Sequence, residues 1–226
     1  DKLNDQYVDE QQSGKISEKQ KNNFVELKEI MSMIDIMDKE IKSKNLKKKE
    51  SLNGKEKELL TVYTMFSFLS RYPLRNDLSG MRYISKTEYN QLNEDNKKAG
   101  NFLVKNKNKL NMILNEYKTS KKYCEKIIDL DPETSKILRM YIKATDKKLG
   151  DVLFVSSRGT PISRNGISQL LIKTSQKYLN KSISTTMMRK IVVSDKFGDL
   201  AKEQKELADV MGHDVGTQNL VYNKDV

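Results

Sequence analysis

Apolar positions recur at helical spacing in two early stretches of this chain, and then the pattern shortens. Phe24, Leu27, Ile30 and Met31, Ile34, Met37 and Ile41 lie three or four residues apart, the period of one helix face. Ser17 and Gln20 make the residue pair of a capping box ahead of this stripe, so the helix is predicted to open there. The stripe reads as core. After the basic run at residues 44–49, a solvated loop, Asn53-Gly54 breaks the chain. A second apolar helix, KELLTVYTMFSFLS, then ends near Ser70.

From Met81 the segments MRYIS, NFLVK, KLNMILNEY and YCEKIIDL are short and alternating, with turns rich in Lys and Asn between them. That pattern predicts a small antiparallel sheet. Asp131-Pro132-Glu133 reads as a helix start, with proline at the first helical position and acid in the first turn. Helices are expected at about 132–145, 163–180 (opening after Ser163), 184–197, 202–212 and 216–223. Residues 1–16 show no periodicity and read as a linker, and 17–226 as one domain. The expected fold class is α+β, mainly α-helical, with a small antiparallel β-sheet inserted between early and late helices.

Composition adds a partner. The 226 residues carry 42 basic against 31 acidic side chains, a net charge of +11, which suits a polyanion such as nucleic acid. A lysine-rich surface from a biased genome would give the same number. The single cysteine, Cys124, forms no internal disulfide and suits a reducing intracellular compartment. One Cys and one His cannot build a Cys/His zinc site. No apolar run approaches a membrane span and no signal peptide opens the chain. The chain begins with Asp1 rather than Met, so a piece of a longer protein with an upstream domain is expected.

Arginine is scarce, seven residues against 35 lysines. An arginine kept in an apolar setting is therefore a sign that bidentate geometry is wanted. Arg75 lies in PLRNDL and Arg189 in STTMMRKI. The plainer reading is a structural ion pair, for instance Arg75 with Asp77. The one histidine, His213, stands nine positions before Tyr222. In an unbroken helix that spacing puts the two on opposite faces, about 13 Å apart along the axis. Gly212 and Gly216 predict a break that turns Tyr222 back towards His213.

Arg75 in PLRNDL, Lys118 in NEYKTSKKYCEKIIDL, Arg189 in STTMMRKI, and His213 and Tyr222 in MGHDVGTQNLVY, taken in that order, resemble the tyrosine recombinases, the phage-type integrases. The Lys- and Asn-rich style also looks like integrases of large DNA viruses and their virophages, which would put the target DNA in a host nucleus or cytoplasm. The resemblance covers residues 60–224 and implies a recombinase catalytic domain, with an N-terminal DNA-binding domain expected upstream. It implies double-stranded DNA as partner, self-association as a tetramer on that DNA, and no metal or cofactor. Tyr222 would be the nucleophile forming a 3′-phosphotyrosine. Arg75, Arg189 and His213 would hold the phosphate, and Lys118 would protonate the leaving 5′ oxygen. Three departures from the family stand out. Thr186 occupies the place of a histidine three before Arg189. Pro73 replaces a glycine, and Asp77 stands for a glutamate one residue further on. The chain ends soon after Tyr222. Two other readings keep the same fold: a type IB topoisomerase-like activity, and a non-catalytic basic DNA-binding module, which Thr186 favours. A lysine-rich helical interaction protein is a third.

Overall fold

The computed structural model describes residues 18–118 and 120–211 of the chain. Helices α1 (Glu18–Asn23), α2 (Leu27–Ser43) and α3 (Gly54–Leu69) lead into a 3-10 turn, Asn76–Leu78. Strand β1 (Arg82–Ser85), helices α4 (Lys86–Gln91) and α5 (Glu94–Lys98), and strands β2 (Asn101–Asn106) and β3 (Lys109–Leu114) follow. Next come the short helix α6 (Ser120–Tyr123) and strand β4 (Lys126–Asp129). Helices α7 (Pro132–Ala144), α8 (Arg164–Leu179) and α9 (Thr185–Met211) complete the described chain. The architecture is α+β and mainly helical, as the apolar periodicity predicts. No described helix is long and apolar enough to cross a membrane.

Helix α3 is the centre. Every residue from Leu59 to Leu69 is buried, so it has no polar face and packs against its neighbours all round. Helices α2, α7, α8 and α9 all contact it. Its N-terminus is set by Asn53, whose side chain accepts from the Glu56 amide at 3.0 Å while Glu56 accepts from the Asn53 amide at 2.9 Å. Helix α2 presents Ile30, Met33, Ile34, Met37 and Ile41 to the core. Met31 faces outward, and Met33 takes the place expected for it.

Three expectations change. The first helix is not continuous from Ser17, which lies outside the described residues. It breaks at 24–26, because the Asn23 side chain accepts from the Ser182 amide at 2.7 Å, and α2 starts afresh on a Glu26–Glu29 capping box. The sheet is mixed rather than antiparallel, in the order β1-β2-β3-β4. β2·β3 and β3·β4 are antiparallel, but β1 pairs β2 in parallel, Tyr83 opposite Leu103, because α4 and α5 carry the chain back between them. The strands do not alternate cleanly either, since both sheet faces are covered: Leu103, Met112 and Leu114 join the main core, and Phe102, Val104 and Ile113 join Ile84 and Tyr89 in a second cluster. Finally, where helices are expected at 184–197 and 202–212, a single helix runs over Thr185–Met211. Gly198 is accommodated inside it at a cost of about 1 kcal/mol relative to alanine. The helix expected at 216–223 lies outside the described residues.

Helix α7 opens on Asp131, with Pro132 at the first position. The Asp131 carboxylate accepts from the Thr134 amide at 2.9 Å, the Thr134 hydroxyl at 2.6 Å and the Tyr72 hydroxyl at 3.0 Å. Against the desolvation that would raise it, these bonds and the Arg71 charge hold its pKa down at about 2. A depressed carboxylate stabilises the fold above its unfolded pKa, and that stability is lost on acidification. Asp131→Ala is expected to cost about 1 kcal/mol at neutral pH. Wild type should lose this advantage as pH falls from about 4 through about 2. Urea unfolding of both proteins across that range checks it; parallel curves would contradict the role.

Candidate active site

The elements that follow α3 gather charge at one edge of the core. Arg75 is exposed at the N-cap of the 3-10 turn, and Asp77 within the turn is buried. Arg189 is half-buried on α9, one helical turn after Thr185 and on the same face. The link between turn and helix is Asn76. Its side-chain oxygen accepts from the Thr185 hydroxyl at 2.7 Å, and its amide donates to the Ser168 hydroxyl on α8 at 3.2 Å. One asparagine thus ties the turn to two helices far away in sequence.

The latch joins the elements that carry Arg75 and Arg189, and the two stand near enough for the charge of Arg75 to act on Arg189. Burial lowers the Arg189 pKa first, and the positive charge of Arg75 lowers it further, while Asp77 opposes both. The Asp77 carboxyl is pushed upward by burial, against the pull of Arg164, of Arg75 through both its amide and its charge, and of Arg189. Asp77 Oδ1 accepts no hydrogen bond; its cation is Arg164, whose Nη1 stands 3.8 Å away. The second arm of Arg164 reaches Glu116 at 2.9 Å. Arg164 therefore supplies the ion pair to Asp77 that the plainer reading gives to Arg75. An oxyanion seated between Arg75 and Arg189 would relieve the repulsion between them.

Arg164 was not legible as a member of this cluster, because it follows the N-cap Ser163 and looks like an ordinary first residue of a helix. One signal was present. A cation at a helix N-terminus opposes the helix dipole and calls for a carboxylate partner nearby.

Lys118 is exposed in the connection between β3 and β4, immediately after the hairpin strand and before α6. That is the turn in which the sequence places it. The connection is closed at its base by the Tyr117 hydroxyl, which donates to the Cys124 carbonyl at 2.7 Å, and Lys126 lies over the Tyr117 ring at 4.8 Å. Buried Asn101 joins this connection to the arginine turn. Its amide donates to the carbonyls of Asp77 at 3.0 Å and Glu116 at 2.9 Å, and its oxygen accepts from the amides of Asn115 and Glu116, each at 2.9 Å. All four hydrogen-bonding positions of that side chain are used.

Thr186 is exposed, and its hydroxyl accepts from Arg189 Nη2 at 3.4 Å, a long bond that leans on the arginine. His213 and Tyr222 lie outside the described residues. The described tyrosines with shifted acidity, Tyr63, Tyr72, Tyr83, Tyr89, Tyr141 and Tyr178, all move towards the neutral phenol, with burial as the largest cause. None of these is made a better nucleophile. No group of three or more His, Cys, Asp or Glu that could hold a metal occurs among the described residues.

No protein-family model matches this chain, and neither a curated protein nor a solved structure matches it.

The Asn101 junction gives a direct test. Asn101→Ala leaves two carbonyls and two amides without their partner, at roughly 1–3 kcal/mol for each that stays unsatisfied. The expected loss is at least about 2 kcal/mol, with faster hydrogen exchange at the Asn115 and Glu116 amides than at the amides within β3. A stability change near zero would show that the site's two halves are not joined there.

Proposed function

We propose that the chain is the catalytic part of a tyrosine-type site-specific DNA recombinase. The observation that carries this reading is that the turn of Arg75 and the helix of Arg189, far apart in sequence, are joined through Asn76, with the Arg75 charge near enough to act on Arg189 and both acting on Asp77. Two guanidiniums that act on a carboxylate already paired with Arg164 suit one shared phosphate. Lys118, tied to the same turn through Asn101, supports the assignment of a third cation to the site.

In this reading the Tyr222 oxygen attacks the scissile phosphorus and the bond to the 5′ oxygen breaks. A 3′-phosphotyrosine and a free 5′ hydroxyl result, with Lys118 supplying the proton. Arg75 and Arg189 hold the non-bridging oxygens, where negative charge grows in the transition state, and His213 adds a hydrogen bond. A phenol has a pKa near 10, so the two guanidiniums also help by favouring the phenolate. Reversal with a different 5′ hydroxyl joins new partners. The phosphotyrosine bond conserves the energy, and self-association on DNA would bring two duplexes together.

Thr186 favours a second reading, a DNA-binding module that has lost cleavage. Its hydroxyl rests on Arg189 and cannot serve as a base near neutral pH. A substrate nicked beside the scissile phosphate separates the two, because an enzyme leaves a covalent protein–DNA adduct and a binding module does not.

The adduct is expected with wild type and absent with Tyr222→Phe, while DNA affinity stays nearly unchanged, because one hydroxyl is lost but no charge. Peptide mapping that places the DNA on another tyrosine, such as Tyr178, or on a serine would overturn the assignment. His213→Ala should slow cleavage by about 10²- to 10³-fold, the usual loss for one oxyanion donor.

Lys118→Ala is expected to slow cleavage at an ordinary 5′ oxygen by roughly 10²- to 10⁴-fold. It should spare a 5′-bridging phosphorothiolate, whose thiolate leaves without a proton. Equal slowing of both substrates rules out the acid role.

A further inference from the structure

The β2–β3 hairpin turns through Lys107 and Asn108, between the paired residues Asn106 and Lys109. A basic cavity of about 400 Å³ lies at this tip, lined by Tyr83, Lys105, Lys107, Asn108, Leu110 and Arg139. Three cations and a phenol line it, and no carboxylate does. It is distinct from the arginine cluster. Asn101, which bonds to Asp77, is at the other end of β2, on the order of 17 Å away at 3.3 Å per residue.

The cavity is braced rather than incidental. Arg139 comes from α7 and donates through Nη2 to the Asn108 carbonyl, which holds its guanidinium at the turn. Tyr83 is buried with its ring in the main core, and the charge of Arg139 opposes the upward push of burial on its phenol. Lys107 adopts φ 49°, the left-handed region, where Asn or Gly fits at lower cost and lysine is disfavoured. Asparagine stands on either side of it. The position keeps a charge at the expense of backbone strain.

We propose that this cavity binds a backbone phosphate of duplex DNA, as an anchoring contact separate from strand cleavage. It rests on the reading that the partner is DNA. Arg139, Lys105 and Lys107 would neutralise the phosphate and the Tyr83 hydroxyl would donate to it. With the Tyr83 ring buried there is no aromatic face on which a base can stack. The contact fixes position and carries no sequence information.

Two variants of the full chain test it. Lys107→Gly relieves the left-handed backbone, so its Tm should rise. Its affinity for a mixed-sequence duplex should nevertheless fall by roughly five- to tenfold at low salt, and the slope of log K against log salt should shrink by about 1. Arg139→Gln should weaken binding similarly. Inorganic phosphate, followed through the Arg139 Nε–Hε NMR signal, should give a saturable shift in wild type that Lys107→Gly reduces. A Lys107→Gly protein with higher Tm and unchanged DNA affinity and salt slope overturns the proposal. A saturable phosphate shift with no change in DNA binding also overturns it, in favour of a free phosphorylated ligand. Adduct formation by wild type on the nicked substrate is scored separately. A missing adduct with the salt effect intact therefore rejects strand cleavage and leaves the anchoring contact standing.

Discussion

The burial of α3 on every side is the constraint on which the rest of the molecule depends. A helix with no polar face needs a ring of partners, and α2, α7, α8 and α9 provide it with their own apolar stripes. Two of its polar groups are handled locally: Thr61 and Thr64 donate to carbonyls one turn earlier, and Thr61 also meets the buried Tyr141 hydroxyl at 3.2 Å. The buried Ser67 hydroxyl has no hydrogen-bond partner among the described residues. Because α3 ends at Leu69, the chain leaves the core at a set point. Tyr72 then docks against Asp131 at the start of α7, and Arg75 emerges at the rim. The position of the candidate site follows from where a buried helix stops.

At the rim, hydrogen bonds decide the arrangement and charges decide its chemistry. Asn76 and Asn101 are neutral and saturate their partners, so they join the arginine turn to α8, α9 and the end of β3 without adding charge. The ionic groups are less balanced. Asp77 is buried with one oxygen lacking a hydrogen bond, and three arginines act on it. Arg164 is the one that pairs with it and with Glu116, which leaves Arg75 and Arg189 as neighbours of like sign. Bringing like charges together costs stability, and an anion between them offsets that cost. The asymmetry among the arginines is the strongest chemical statement the structure makes.

Much of this was readable from residues alone. The spans of α7 and α8 follow from Asp131-Pro132 and from Ser163, because capping chemistry is local and does not depend on what packs outside. Helix α3 opens earlier than KELLTVYTMFSFLS, at Gly54, because Asn53 caps it rather than only breaking the chain. Lys118 in a turn follows from the polarity of KTSKK between two strands. What was not legible depends on contacts distant in sequence. The parallel β1–β2 pairing requires the two short helices at Lys86–Gln91 and Glu94–Lys98, whose segment resembles a polar turn in composition. The break before Leu27 is made by a bond between Asn23 and Ser182, which periodicity cannot show. The role of Arg164 depends on Asp77 and Glu116 reaching the start of α8.

Under the proposed reading the site would divide its work between rigid and turn-borne groups, and the division has a physical basis. Charges that hold an anion gain most when their positions are prepaid, since reorganisation during reaction weakens electrostatic stabilisation. The backbone that carries the two arginines is fixed in that sense: Arg75 flanks a turn latched by Asn76, and Arg189 sits on a helix whose first turn carries Thr185 in the same latch. A group that delivers a proton has the opposite need, because it must reach an atom that moves away as its bond breaks. Lys118 is carried on an exposed turn anchored at its base by Asn101 on one side and by the Tyr117–Cys124 bond on the other. In that reading scarce arginine stands where geometry must be fixed, and flexible lysine where reach matters.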